Sequence, residues 1–334
     1  MLDSQANHGT LITLAKSRID DMSDEKYLRV RIQSFHPKRP TTFDLYVLIN
    51  GKYVLYRRAG DSFDDEKLAK LSQSSSEVFY IREKDRPEFK KYVHEQLNDS
   101  TLPSKEKALI LRESSYALVE ELFENPDVYQ ALDQSKEVIH NFVQFMEQEA
   151  DGLSNLIGLS SHDFYTYNHS LDVCVYSLAL GGASGYTKTE ELMELGRGSL
   201  FHDIDKRHVS TDIICKKGPL DDVEWAQMKS HPLFGLQILN DYNEATDNMK
   251  ACVFEHHENE AGNGYPQSLS GNEIHPMAKI VAITDCYDAL TTKRSYNNPM
   301  SPTDAVNMMN EKLTARFDPD LLKALYSTLL QIKR

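Results

Sequence analysis

The sequence predicts a small α+β module followed by an all-α domain, and three observations predict it. Two alternating apolar runs meet at Asn50-Gly51, residues 98–107 gather turn and breaker residues, and from there to the C-terminus the apolar spacing is that of helices.

In chain order, YLRVRIQSF (27–35) alternates as a half-buried strand does. TTFDLYVLINGKYVLYRRAGD (41–61) holds two strand-like runs, and the Asn-Gly pair between them is a two-residue hairpin signal because both residues tolerate positive φ. DDEKLAKLSQ (64–73) reads as a helix, EVFYIRE (77–83) as a strand, and DRPEFKKYVHEQL (85–97) as a second helix with Pro87 in its first turn. Residues 1–100 therefore form an α+β module, regulatory or partner-binding in character, or one that packs a dimer. It lacks the aspartate-rich pocket pattern and downstream lysine of a response-regulator receiver.

NDSTLPSKEK (98–107) ends that module, with Pro103 at or just before a helix start. Residues 101–150 read as a helical linker and 151–334 as the all-α domain. The predicted helices are SYALVEELFEN, SKEVIHNFVQFMEQEADGLSNLIG, HSLDVCVYSLALGG, EELMELGRGSLFHDI, DVEWAQMKSHPLFGLQILN, MKACVFEHHE, HPMAKIVAITDCYDALTT and PTDAVNMMNEKL.

Composition narrows the function. With 40% hydrophobic and 26% charged residues the 334-residue chain can bury a sizeable core. A net charge of −14 excludes broad binding to duplex nucleic acid or to an anionic membrane surface, which needs a basic face, while leaving room for a small phosphorylated ligand in a locally basic pocket. No apolar run is long enough to span a membrane and the first residues carry no signal-peptide pattern, so a cytoplasmic location is expected. Cys174, Cys215, Cys252 and Cys286 are widely spaced and read as reduced thiols.

Chemistry concentrates in the second half. His169, His202, Asp203, His231, His256, His257 and Asp285 all fall within predicted helices. Taken singly, a helical histidine is more often a satisfied core or surface residue than a ligand, and Asp285 alone could cap a helix or form a salt bridge. Jointly, so many polar groups in apolar segments would be expensive to bury unpaired, and a shared divalent metal satisfies them all. Imidazole with carboxylate suits iron, manganese, zinc or nickel, and the lack of clustered thiolates argues against a structural zinc knot. Five imidazoles and two carboxylates exceed the needs of one ion with an open position, so two metals sharing a bridging aspartate are expected, a site suited to attack on phosphorus.

HS (169–170), LFHDIDK (200–206), MKSHPLFG (228–235), HHENEAGNGYP (256–266), ITDCYDALTTKRSY (283–296) and the tail RFDPDLLKAL (316–325) resemble, in order and spacing, the HD-GYP subgroup of the HD-domain phosphohydrolases. The resemblance covers about residues 160–325 and implies an HD-type helical fold. It implies hydrolysis of cyclic di-GMP, or of a related cyclic dinucleotide, to a linear product and onward to the mononucleotide. By the same resemblance His169, His202, Asp203, His231, His256, His257 and Asp285 hold two divalent ions, iron or manganese, with Asp203 as bridge and in a catalytic role. Lys206 would act catalytically at the scissile phosphate or leaving oxygen, Arg294 would clamp a phosphate, and Tyr265, shaped into place by Gly262, Gly264 and Pro266, would touch substrate.

The pattern also departs from the family. Asp205 stands where HDIGK has glycine, its carboxylate lowering the effective charge of Lys206 or facing solvent. Ala261 replaces the aspartate of DGxGYP, and Ser295 and Asn297 interrupt the RPYR stretch. Tyr165 occupies the place where some members carry a glutamate for a third metal, so a two-metal site is expected. These substitutions raise an alternative, a catalytically weak receptor of a cyclic nucleotide or a partner protein; a different HD-type nucleotide hydrolase fits the GYP turn least. Lys216, Lys217, Lys293 and Arg294 form a prospective basic rim, with ordinary loop charges the equal alternative for the first two.

Overall fold

The structure, a computed structural model, describes residues 25–37, 39–63, 78–124, 127–159, 166–206, 209–214, 216, 218–292 and 298–332. Strands β1 (Tyr27–Arg31), β2 (Leu45–Ile49), β3 (Lys52–Arg57) and β4 (Val78–Arg82) form one antiparallel sheet in the order β1-β4-β2-β3. Ile49 faces Lys52 across the hairpin, and Asn50 and Gly51 have φ of 50° and 77°, the left-handed pair that a tight two-residue turn demands. Helix α1 (Arg86–Leu97) follows, with Pro87 at its start. Alternation along the strands turns Leu28, Val30, Leu45, Phe79 and Ile81 to one face, where they are buried with Phe89, Tyr92 and Val93 of α1. The helix expected over 64–73 lies outside the described residues.

Helix α2 (Ser104–Glu124) starts directly after Pro103. The chain divides into two compact units, residues 1–117 and 118–334, so the division falls inside α2.

The second unit is helical, with no strand among its described residues. It contains α3 (Val128–Gln148), α4 (Gly152–Gly158), α5 (Thr166–Ala183), α6 (Thr189–Leu200), α7 (Thr211–Ile214), α8 (Asp222–Lys229), α9 (His231–Asn240), α10 (Asp247–Glu255), α11 (Pro276–Thr291), α12 (Pro302–Lys312) and α13 (Pro319–Ile332). α5 packs on α6 and α11, and α10 on α6, α9 and α11. Val173, Leu180, Leu195, Cys252, Val281, Ile283 and Phe317 are buried where these helices meet. Each such side chain contributes about 1.5–3 kcal/mol by leaving water.

Two of the predicted helices are broken, each for a local reason. The stretch 135–158 stops at Gln148 and resumes at Gly152, across an Asp-Gly pair that favours a turn. The stretch 222–240 breaks at Ser230, because Pro232 has no N–H to donate to Met228 O, one turn back. Asp221 caps the first half through a capping box with Glu224. The stretches 190–204 and 249–258 end early, at Leu200 and Glu255.

Cys174 and Cys252 are buried free thiols and Cys286 is a half-buried one, while Cys215 lies outside the described residues. Among the described residues no helix is long and apolar enough to cross a membrane.

Candidate metal centre

Those early helix ends build the site. His202, Asp203, His256 and His257 are not inside helices, as their apolar neighbours suggest, but just past the ends of α6 and α10; His231 opens α9 after the break behind α8, and only His169 and Asp285 lie well within helices, α5 and α11. A helix leaves its last carbonyls unpaired, and a donor a few residues on can satisfy one. Three histidines do so in the same way. His202 Nδ1 lies 2.7 Å from Ser199 O, His231 Nδ1 2.7 Å from Met228 O and His256 Nδ1 2.9 Å from Val253 O, each three residues back. A carbonyl only accepts, so in each ring Nδ1 carries the proton and Nε2 presents its lone pair. His169 is oriented through a carboxylate instead, its Nδ1 2.7 Å from Asp288 Oδ2, while Thr292 donates to Asp288 Oδ1 at 3.2 Å.

The Nε2 atoms converge. His231 Nε2 and His256 Nε2 are 3.2 Å apart. Burial holds both rings neutral, His231 down at about 4, and His256 at about 3 with help from the neighbouring His202 and His231. Two lone pairs facing each other at that distance repel unless a cation sits between them. Asp203 faces both sides of the cluster: Oδ2 is 3.1 Å from His202 Nε2 and 3.6 Å from His169 Nε2, whereas Oδ1 is 3.5 Å from His231 Nε2 and 3.8 Å from His256 Nε2. Donor atoms within 4.8 Å of one another define one group of His169, His202 and Asp285, another of His231, His256 and His257, and a third of His202, Asp203 and His256 between them.

The donor set fits divalent metal. His169 Nε2, His202 Nε2 and Asp203 Oδ1 are buried with no hydrogen-bond partner among the described residues, a deficit of about 1–3 kcal/mol per group that coordination would remove. All seven residues predicted to hold metal are brought together.

The other predicted site residues divide. Lys206 lines the pocket, but its ammonium is ion-paired with Asp203 rather than free. Asp205 does not face solvent; it is fully buried beside Gly235. Tyr265 lines the pocket with its ring 4.7 Å from that of His257 and 6.2 Å from that of His231. Burial, then the carboxylates of Asp285 and Asp203, raise its pKa, so the phenol keeps its proton and can donate it to a ligand. Gly264 permits this approach, since a Cβ there would come within 2.5 Å of Glu258 Cα and 2.6 Å of His257 O. Arg294, Lys217, Lys293, Ser295, Asn297 and Tyr165 lie outside the described residues; Lys216 is ion-paired with Glu224.

Three residues that the sequence reading did not assign complete the site. Asp288 orients His169 from 119 positions away. Glu258, buried at the end of the histidine pair, accepts from the backbone N–H of Gln267 at 2.6 Å and Leu269 at 3.0 Å and so fixes the turn bearing Tyr265. Arg316 joins the wall of a cavity of about 300 Å³ with His169, Lys206, His257, Tyr265 and Asp285. The i−3 carbonyl spacing is a local signal that could have been read in advance; the other pairings are not local.

A family model described as HD domain matches residues 157–321, the stretch that carries every residue of this cluster. That stretch belongs to the HD-domain family. The chain is similar to a cyclic di-GMP phosphodiesterase of Pseudomonas aeruginosa, 30% identical over 220 residues that make up 65% of this chain and 52% of that protein. It is also similar to a 3'3'-cGAMP-specific phosphodiesterase of Vibrio cholerae, 33% identical over 165 residues, 49% of this chain and 35% of that protein. The chain thus spans about half, or less, of the length of these relatives. Beyond the HD domain, the fold as a whole is shared with an HDG"Y"P protein from Bdellovibrio bacteriovorus, with a TM-score of 0.74 at 24% identity, covering 91% of this chain and 100% of that one.

Proposed function

We propose that this protein is a metal-dependent phosphodiesterase that opens cyclic di-GMP, or a related cyclic dinucleotide, to the linear product and hydrolyses that further to the mononucleotide. The observation that carries the reading is Asp203, whose two oxygens face two different groups of buried nitrogen donors as a carboxylate shared by two ions would. His169, His202 and Asp285 would hold one ion and His231, His256 and His257 the other; the donors suit iron, manganese, zinc or nickel, and the family resemblance favours iron or manganese. When bound, the ions supply a water nucleophile at neutral pH and offset charge on the phosphoryl oxygens.

The chain's own residues do the rest. The Nδ1–H bonds to Asp288 and to the helix-end carbonyls fix each ring's tautomer and aim, so the site is organised before ligand arrives. Lys206, now paired with Asp203, lies within reach of a phosphate that displaces it. Tyr265 offers a phenolic O–H at the pocket edge. Similarity to relatives named as cyclic di-GMP and 3'3'-cGAMP phosphodiesterases supports the substrate class.

A second reading, a metal-containing receptor with weak turnover, is favoured by the ion pair that occupies Lys206 and by the buried Asp205 beside it. Anaerobic purification, metal quantitation, and incubation of iron- and manganese-loaded protein with cyclic di-GMP separate the two. Linear product with two metals per chain supports the enzyme; binding without cleavage supports the receptor. On the first unit, Leu48, Tyr53 and Val78 are exposed on the sheet, which supports a role for residues 1–100 in binding a partner or a second copy, with 101–150 as linker to the catalytic 151–334. Solution mass with and without residues 1–100 tests that role.

A further inference from the structure

Arg316 is the feature of the cavity that the reading above does not use. It sits in the turn between α12 and α13, in the short 3-10 segment Thr314–Arg316, apart from every element that supplies a candidate metal ligand. Among the described lining residues the only lysine or arginine side chains are those of Lys206 and Arg316, and the first is taken up by Asp203. The guanidinium of Arg316 makes no ion pair or hydrogen bond with a described residue; its near neighbour is the ring of Phe317, 5.9 Å away. Yet its backbone is held firmly. Arg316 N–H donates to Leu313 O at 2.8 Å, Arg316 O accepts from Glu260 N–H at 3.1 Å, and Phe317 is buried in the helical core. The Glu260 bond ties the segment to the loop that also carries Tyr265, and Lys279 strengthens the joint by contacting Glu260 at 2.8 Å and Asp318 at 3.8 Å. The result is a fixed backbone presenting an unpaired charged fork at the wall of a pocket whose centre is a set of metal-binding groups.

We infer that Arg316 binds the phosphodiester that is not being cleaved, and so selects ligands with two phosphate groups over those with one. This rests on the phosphodiesterase reading. A phosphate at the Asp203 cluster and a second one elsewhere in the same ring need separate cationic partners, and a guanidinium donates two parallel N–H bonds to one phosphate group. On a protein of net charge −14, a free arginine at the pocket wall also offsets repulsion of a dianionic ring. Arg316 is thus a positioning and specificity residue, not one that touches the reacting atoms.

The test is equilibrium binding to manganese-loaded protein, with metal content measured on every sample, of a phosphorothioate cyclic di-GMP and of 5'-GMP. Arg316→Ala should keep its metal, lose about 10- to 100-fold in affinity for the cyclic ligand, and bind 5'-GMP as the unmodified protein does. Arg316→Lys should recover part of the loss, since it restores charge without the fork. Equal loss for both ligands, or no loss for either, overturns the inference while leaving the phosphodiesterase reading in place. Unmodified protein that carries metal but binds no cyclic dinucleotide overturns that reading, and this inference with it.

Discussion

The two ends of the histidine cluster each gather three donor groups and have opposite electrostatics. At one end His169 lies within 3.6 Å of Asp203, 3.2 Å of Asp285 and 2.7 Å of Asp288; burial favours its neutral form, but the carboxylates outweigh it and hold its pKa well above the usual value. At the other end His231, His256 and His257 pack ring on ring, with centroids 4.1–5.2 Å apart, and burial pushes all three down, helped by neighbouring imidazoles at His256 and His257 and by Lys206 and His202 at His231. The first end can balance a proton or a metal with its own anions. The second holds no carboxylate of its own, and positive charge there is countered from outside it by Asp203 and Asp285. Asp203 and Asp285 are themselves kept ionised: burial opposes it, but the neighbouring imidazoles, and for Asp203 also Lys206, prevail.

This contrast can be broken in graded steps. Asp203→Ala removes the residue both ends share, and the expected outcome is loss of both metals and of all turnover; a variant retaining two equivalents by elemental analysis would sink the bridging assignment. Lys206→Ala should leave two metals in place and reduce turnover about a hundredfold or more. Unchanged kcat with full metal content would place Lys206 outside the chemistry. Asp288→Asn acts at the carboxylate end alone, where the partner of Nδ1 tunes and orients the ring. It should weaken one of the two metal equivalents by roughly 10- to 100-fold and spare the other. A metal titration that shifts both equivalents together would show that the ends are not separable. Smallest, Glu258→Gln leaves the cluster intact and loosens the turn that carries Tyr265. A stability loss of about 1 kcal/mol in denaturant unfolding, with metal retained, is expected; a wild-type unfolding midpoint would mean that Glu258 does not hold the turn.

The departures from the predicted elements fall where the site is. Apolar periodicity runs through residues 190–204, 222–240 and 249–258, and each of these stretches stops or breaks a residue or two before a histidine. Periodicity reports which face is buried, not whether the backbone is still helical, and the turns after α6 and α10 are buried as well. The Ser230 break had a visible cause in Pro232, whereas the ends at Leu200 and Glu255 are favoured by imidazole caps on Ser199 O and Val253 O. In the first unit the agreement is closer, because Asn50-Gly51 and Pro87 impose backbone geometry by themselves.

By itself the sequence determined the order of a strand-rich module and a helical domain, the hairpin turn, and the seven histidines and aspartates of the centre. Those follow from residue chemistry and short-range spacing, which any window of the chain contains. Only the tertiary structure decided that Asp203 divides its two oxygens between two groups of rings, that Asp288 reaches His169, that Asp205 is buried, and that one backbone bond from Glu260 ties Arg316 to the loop carrying Tyr265. These are distances between groups far apart in the chain or directions of side chains, and they arise from how α5, α6, α10 and α11 pack.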